Sequence, residues 1–160
     1  MATIAGVEPA EETAPEIEAA DWLNTPKPLS LKDLRGRVVL VEAFQMLCPG
    51  CVQHGLPQAQ RIAGAFRPGD LQVIGLHTVF EHHAVQGTRE ALEVFLHEYR
   101  IRFPVAIDRP GEPLPATMAK YGMQGTPTLL LIDRAGRLRA QHLGAVPDLQ
   151  LGAQIGALLG

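Results

Sequence analysis

Two cysteines, Cys48 and Cys51, stand with Pro49 and Gly50 between them in "FQMLCPGCVQHG", and the 160-residue chain has no others. Two thiols three residues apart can do three kinds of chemistry. They can bridge one helical turn as a structural disulfide, supply half of a zinc site, or cycle between dithiol and disulfide. A structural bridge over so short a span restricts almost no chain. A zinc site needs two further ligands, for which His77, His82 and His83 are the candidates. A redox pair needs nothing more, and CxxC beside a βαβ pattern is its expected setting. The redox reading is the preferred one.

The elements around the pair decide what each sulfur can do. "VVLVEAF", residues 38–44, is short, β-branched and almost continuously apolar, which predicts a strand buried on both faces. A helix follows from about Cys48. With Cys48 as its N-cap, Pro49 takes the first helical position, where proline is best tolerated. An N-cap side chain accepts hydrogen bonds from the amides of the second or third helical residue, and the positive end of the helix dipole lies behind it. Both effects favour a thiolate at Cys48 and make it the attacking group. Cys51 lies one turn further in on the same face, where its Cβ is roughly 5–6 Å from that of Cys48. A small adjustment closes that gap to a disulfide. Cys51 is then the group that resolves a mixed disulfide.

Further along, Leu56, Ala59, Ile62, Ala63 and Phe66 carry the helix on at helical spacing, with a kink predicted at Pro57. "LQVIGLH" (71–77) reads as a second buried strand and "HTVFEHHAVQG" as a loop. Thr88 is a good N-cap for "REALEVFLHEYR", whose apolar face is Leu92, Phe95, Leu96 and Tyr99. "FPVAID" (103–108) is a third strand and "ATMAKYGM" (116–123) a short helix. "TPTLLLIDRAGRLRAQHLG" (126–144) is a hairpin turning at Ala135-Gly136, and "PDLQLGAQIGALL" (147–159) is a closing amphipathic helix. The order is βαβαβαββα. Strands separated by helices pair in parallel through right-handed crossovers, and the hairpin adds antiparallel strands. The expected fold is α/β: a central mixed sheet with helices on both faces.

Composition removes several classes. A formal net charge of −3 and a pI near 6.0 leave no basic footprint for nucleic acid or an anionic membrane surface. No apolar run reaches the ~18 residues a membrane span needs. The start, "MATIAGVEPAEETAPEIEAAD", has neither a positive n-region nor a long apolar core. A cytoplasmic location is expected of the chain as it stands, and an extracytoplasmic one if a leader or anchor precedes it. Residues 1–20, acidic and mixed with Ala and Pro, are expected to form a flexible arm, and 21–160 a single domain.

Four stretches carry a family resemblance: "LSLKDLRGRVVLVEAF", "CPGC", "GTPTLLLID" and "RAGRLRAQHLG", which together span roughly residues 25–160 in order. The chain resembles the thioredoxin-fold redoxin domains, most closely their TlpA-like branch. The resemblance implies a thioredoxin-like fold and a thiol–disulfide oxidoreductase with no cofactor besides its own disulfide. It also implies a cis Thr126–Pro127 bond beside the cysteines, with backbone at Thr126 free to pair with a substrate strand. Pro49 and Gly50 join Thr126 and Pro127 as expected substrate contacts. Thioredoxins have a buried acid six residues before the first cysteine, and Glu42 stands there. Burial would raise its pKa and let it exchange a proton with Cys51.

This chain departs from the pattern in three places. Leu47 replaces the aromatic residue usual before the first cysteine. The intervening pair is Pro-Gly rather than Gly-Pro. Pro57 comes six residues after Cys51 instead of five, which predicts a helix offset by one residue or bulged.

His77 closes the second strand on the sheet edge that should hold Cys48, so it is an accessory candidate. His54, three residues past Cys51, is another, as a redox-tuning group. Two alternatives stand beside the oxidoreductase. A thiol peroxidase of peroxiredoxin type needs P-x-x-x-[ST]-x-x-C, but Val41 and Gln45 occupy the proline and hydroxyl places. Metal delivery would use Cys48, Cys51 and His77 as soft ligands. The expected partners are a disulfide-bearing protein or small molecule and a thiol reductant, met by a monomer.

Overall fold

The structure is a computed structural model and describes residues 12–160. Its centre is β2, Val38–Phe44, in which all seven residues are buried. β3, Leu71–His77, pairs with it in parallel from Val38↔Leu71 to Phe44↔His77, and β4, Val105–Asp108, adds to β3 in parallel. On the other side β5, Thr128–Ile132, runs antiparallel to β2, and β6, Leu138–Leu143, completes the hairpin. One more strand, β1, Ala19–Leu23, lies antiparallel on β4, giving the order β1-β4-β3-β2-β5-β6. The mixed sheet and the parallel βαβ core are those the sequence predicts.

Alternation along β2 divides the core. Val38, Leu40 and Phe44 pack with Cys51, Leu56, Ala59, Leu92, Leu96, Leu151 and Ile155. These belong to the π-helical turn Cys51–Gly55, to α1 (Leu56–Ala65), and to α3 (Arg89–Glu98) and α5 (Asp148–Leu159). Val39, Val41 and Ala43 face the other way, onto Leu31, Leu34, Met118 and Tyr121. There α4, Ala116–Lys120, and the 29–34 turn cover the sheet. Thr88 caps α3 as expected, its hydroxyl accepting from the Ala91 amide at 3.2 Å. The hairpin turns at Gly136, whose φ of 83° suits a residue without a side chain.

Three expectations change. The first is the arm, whose residues 1–11 lie outside the described residues and whose second half is not free. The Ala14 amide donates to the Gly136 carbonyl at 2.8 Å, and the Glu16 carboxylate accepts from the amides of Leu31 (2.7 Å) and Lys32 (3.0 Å). Glu18 pairs with Arg109 and Lys120, and the Tyr121 hydroxyl donates to the Pro15 carbonyl. Its acids find amides and cations on the body, so the segment leads directly into β1. The second is the loop after β3, which contains one helical turn, α2, His83–Gln86. The third is α4, which stops at Lys120 instead of continuing to Met123, because Gly122 turns left-handed at φ 61°.

Candidate active site

β2 delivers the chain to the carboxyl edge of the sheet at Phe44, and a three-residue turn leads to Cys48. Buried amides fix that turn. Gln45 Oε1 accepts from the Phe80 amide at 3.2 Å and from Gln86 Nε2 at 3.1 Å. Gln86 Oε1 accepts from the Leu47 amide at 2.9 Å, and Gln86 Nε2 also donates to the Glu81 carbonyl at 2.8 Å. This pairing spans 41 residues of sequence, and the spacing of apolar residues carries no trace of it.

Helical backbone begins at Pro49, which makes Cys48 the N-cap the spacing predicts. Its carbonyl accepts from the Val52 amide at 3.1 Å, and its sulfur accepts from the Cys51 amide at 3.2 Å. Cys48 and Cys51 are joined as a disulfide with Cα atoms 5.2 Å apart. Access to the two sulfurs is unequal: Cys48 retains 9% of its surface and Cys51 none. Leu47, Pro49 and Gly50 beside them are exposed.

The Thr126–Pro127 bond is cis, and the Thr126 carbonyl lies 3.5 Å from the Cys48 sulfur. Pro127 nests on two glycines. A Cβ on Gly50 would stand 3.3 Å from Pro127 Cδ, and one on Gly55 would stand 3.0 Å from Pro127 Cβ. Gly50 therefore allows the close approach between the CPGC turn and the proline loop.

The helix after Cys51 is bulged. The Leu56 amide donates to the Cys51 carbonyl, one residue wider than in an α-helix, and the π turn Cys51–Gly55 precedes α1. That extra residue accounts for Pro57 lying six residues past Cys51. Pro57 sits within the first turn of α1, where its missing N–H disturbs little.

Glu42 is buried on β2, 1% exposed, and burial raises its pKa to about 8. Its register partners are Gly75 and Leu129, and its carboxyl packs against Gly55. His77 ends β3 opposite Phe44, on the sheet edge the sequence indicates. It is 2% exposed, its ring centroid is 5.2 Å from that of Phe44, and Nε2 has no partner among the described residues. Burial lowers its pKa to about 4, so it is a neutral imidazole in the core. His54 does not join the cysteines. Its Nε2 donates to the Val146 carbonyl at 3.1 Å, beside Gln58 Nε2 at 2.7 Å, and it ties the π turn to the loop before α5. His82 and His83 are exposed. Among the described residues no three His, Cys, Asp or Glu side chains gather as metal ligands would.

Sequence reasoning missed Gln86 and Gly55. For Gly55 a signal was present, since a glycine inside a helical pattern asks for a packing reason.

Comparison with known proteins identifies the family and its relatives. The Redoxin family model matches residues 9–155. The chain is 33% identical over 135 residues to the protein DipZ of Mycobacterium bovis, covering 82% of this chain and 18% of DipZ. It is 29% identical over 125 residues to the thiol-disulfide oxidoreductase ResA of Bacillus thuringiensis, covering 78% of this chain and 65% of that protein. The chain thus spans less than two thirds of either relative. Among solved structures it is 52% identical to a thiol-disulfide isomerase from Corynebacterium glutamicum, with a TM-score of 0.87 over 92% of this chain and 97% of the other. A crystal structure described as a thioredoxin-like superfamily protein is 57% identical, with a TM-score of 0.90 over 92% and 96%.

Proposed function

The chain belongs to the Redoxin family, and from that premise we propose that it is a thiol–disulfide oxidoreductase working through Cys48 and Cys51. One observation carries the assignment of roles: the Cys51 amide donates to the Cys48 sulfur at the start of a helix, while Cys51 itself has no exposed surface. A thiolate at Cys48 keeps that bond and gains the dipole of the helix. It attacks one sulfur of a substrate disulfide, forming the Cys48–substrate bond and expelling the other sulfur as a thiolate. Cys51 then gives up its proton and attacks Cys48, which closes the internal disulfide and releases the second substrate thiol. The protein is oxidised by two electrons and the substrate reduced by two. An external dithiol or thiol reductant runs the same steps in reverse on the protein.

Glu42 serves as the proton-exchange group for Cys51. As a carboxylate it takes the Cys51 proton before closure, and as the neutral acid it returns a proton when the disulfide is opened. An acid with a pKa near 8 has both forms at hand close to neutral pH. Thr126 and Pro127, with Pro49 and Gly50, form the contact surface for an extended disulfide-bearing segment. His77 and His54 act on the site through packing and through the tether to Val146. The substrate is a protein or small-molecule disulfide, met by a monomer that carries no cofactor besides its disulfide. No helix among the described residues is long and apolar enough to cross a membrane.

Equilibration in glutathione redox buffers, read by thiol alkylation, measures the potential of the pair. A value near about −270 mV assigns a reductant and one near about −120 mV an oxidant. A protein whose cysteines fail to exchange with glutathione at all is not an oxidoreductase.

A further inference from the structure

Gly55 ends the π turn with φ −60° and ψ −54°, ordinary right-handed helical values. Nothing in its backbone requires glycine, and alanine is the better helix former at such a position. The reason for glycine is space. A Cβ there would stand 3.2 Å from Glu42 Cδ and 3.0 Å from Pro127 Cβ, and would overlap Glu42 Oε1. Gly64, in the next helical stretch, has nothing within 4 Å in the same direction. The vacant side-chain place of Gly55 is therefore filled by the carboxyl of the buried acid.

The surroundings give that carboxyl little room to move. Gly75, its register partner on β3, already has Phe44, Phe103 and Val105 in its own side-chain direction. Pro127 lies against the same vacant position, 3.0 Å from where a Gly55 Cβ would stand. Cys51 and Gly55 are the two ends of one π turn, so the turn that carries the resolving sulfur also shapes the seat of the acid.

We propose that Gly55 is a positioning residue for proton exchange at Cys51, because its missing side chain forms the seat of the Glu42 carboxyl. The inference rests on the reading of Glu42 given above. A methyl at Gly55 displaces the carboxyl and weakens the step that needs it. The attack by Cys48, which uses the Cys51 amide, is untouched.

Rapid mixing of the reduced protein with Ellman's reagent separates the two steps. Attack by Cys48 releases one aryl thiolate, and closure by Cys51 releases the second. Gly55→Ala should leave the first phase unchanged, slow the second by about tenfold or more, and shift its pH midpoint. Gly64→Ala should change neither phase. Glu42→Asp, one methylene shorter, makes room for the methyl, so adding it to Gly55→Ala should restore part of the second phase. It also keeps the test alive if Gly55→Ala alone folds poorly.

A second phase indifferent to Glu42→Gln would sink the role of Glu42 itself. A second phase slowed by Glu42→Gln but unmoved by Gly55→Ala would overturn the positioning role alone. So would a Gly55→Ala defect of equal size in the Glu42→Gln background, or a Glu42→Asp/Gly55→Ala pair no better than the sum of its parts.

Discussion

The Cys51 amide donates to the Cys48 sulfur across 3.2 Å while the two residues are joined by their own disulfide. The bond is already in place for the thiolate that reduction creates. Only Cys48 keeps surface through which a reagent can arrive. In the reduced protein, iodoacetamide at neutral pH should therefore modify Cys48 well before Cys51. Cys48→Ser should abolish disulfide reductase activity, and Cys51→Ser should accumulate a mixed disulfide with substrate. Peptide mapping of the alkylated protein decides the order, and labelling of Cys51 first would reverse the two roles.

Removing the Gln86 side chain should be costly for a residue so far from the cysteines in sequence. Gln86→Ala leaves the part-buried Leu47 amide without its acceptor and the buried Gln45 Oε1 without one of its two donors. Each unpaired buried group costs about 1–3 kcal/mol. Chemical denaturation of the oxidised protein should show a loss of that order. Alkylation of Cys48 should change as well, because the turn that aims it loses its anchor. A loss below about 0.5 kcal/mol, the size of an ordinary surface change, would mean that water replaces the amide.

The strands and the cysteine turn were legible because their signals are local. β2 is an uninterrupted apolar run, Ala135-Gly136 is a turn dipeptide, and a proline one residue late beside CxxC announces a bulge. β1 was not legible. It is an edge strand in which Leu23 alone is fully buried, so neither alternation nor a continuous run marks it. The lashing of 12–18 to the body depends on acids meeting amides far along the chain, and Gln45 meets Gln86 across a similar gap. Periodicity records which face of an element is buried, and it holds nothing about which polar partner waits there. Glu42 was visible through the resemblance, which implies a buried acid six residues before the first cysteine, and the apolar run around it leaves it no solvent face to turn to. Gly55 was not legible, since only the folded arrangement brings the Glu42 carboxyl into its vacant place.

Glu42 should make the folded protein less stable as pH rises. Its folded pKa of about 8 is above its ordinary 4.5, so between those values the unfolded chain has released a proton that the folded protein still holds. Stability then falls with pH by up to about 1.4 kcal/mol per unit and levels off above pH 8. Glu42→Gln keeps the shape without the proton. Its advantage over the parent should be small near pH 4.5 and grow steadily to pH 8, as measured by urea unfolding. An advantage constant with pH would mean that the carboxyl reaches water.

His77 should tilt the same curve the other way. Burial holds its folded pKa at about 4 against an ordinary 6.5. Between those values the unfolded chain binds a proton that the folded protein refuses, so stability falls as pH drops through this window, again by up to about 1.4 kcal/mol per unit. From about pH 4.5 to 6.5 the two buried groups oppose each other, and the parent protein should be nearly flat there. Each single substitution should expose the other residue. Glu42→Gln should leave a protein whose stability rises with pH up to 6.5 and then holds. His77→Leu should leave one whose stability falls from 4.5 to 8. With both substitutions the contribution of this pair to the slope should vanish across the whole range. Urea unfolding of the four proteins at half-unit steps of pH measures this directly. A parent curve that already slopes between 4.5 and 6.5, unchanged in slope by His77→Leu, would mean that His77 titrates alike in the folded and unfolded chains and that its ring is reached by solvent.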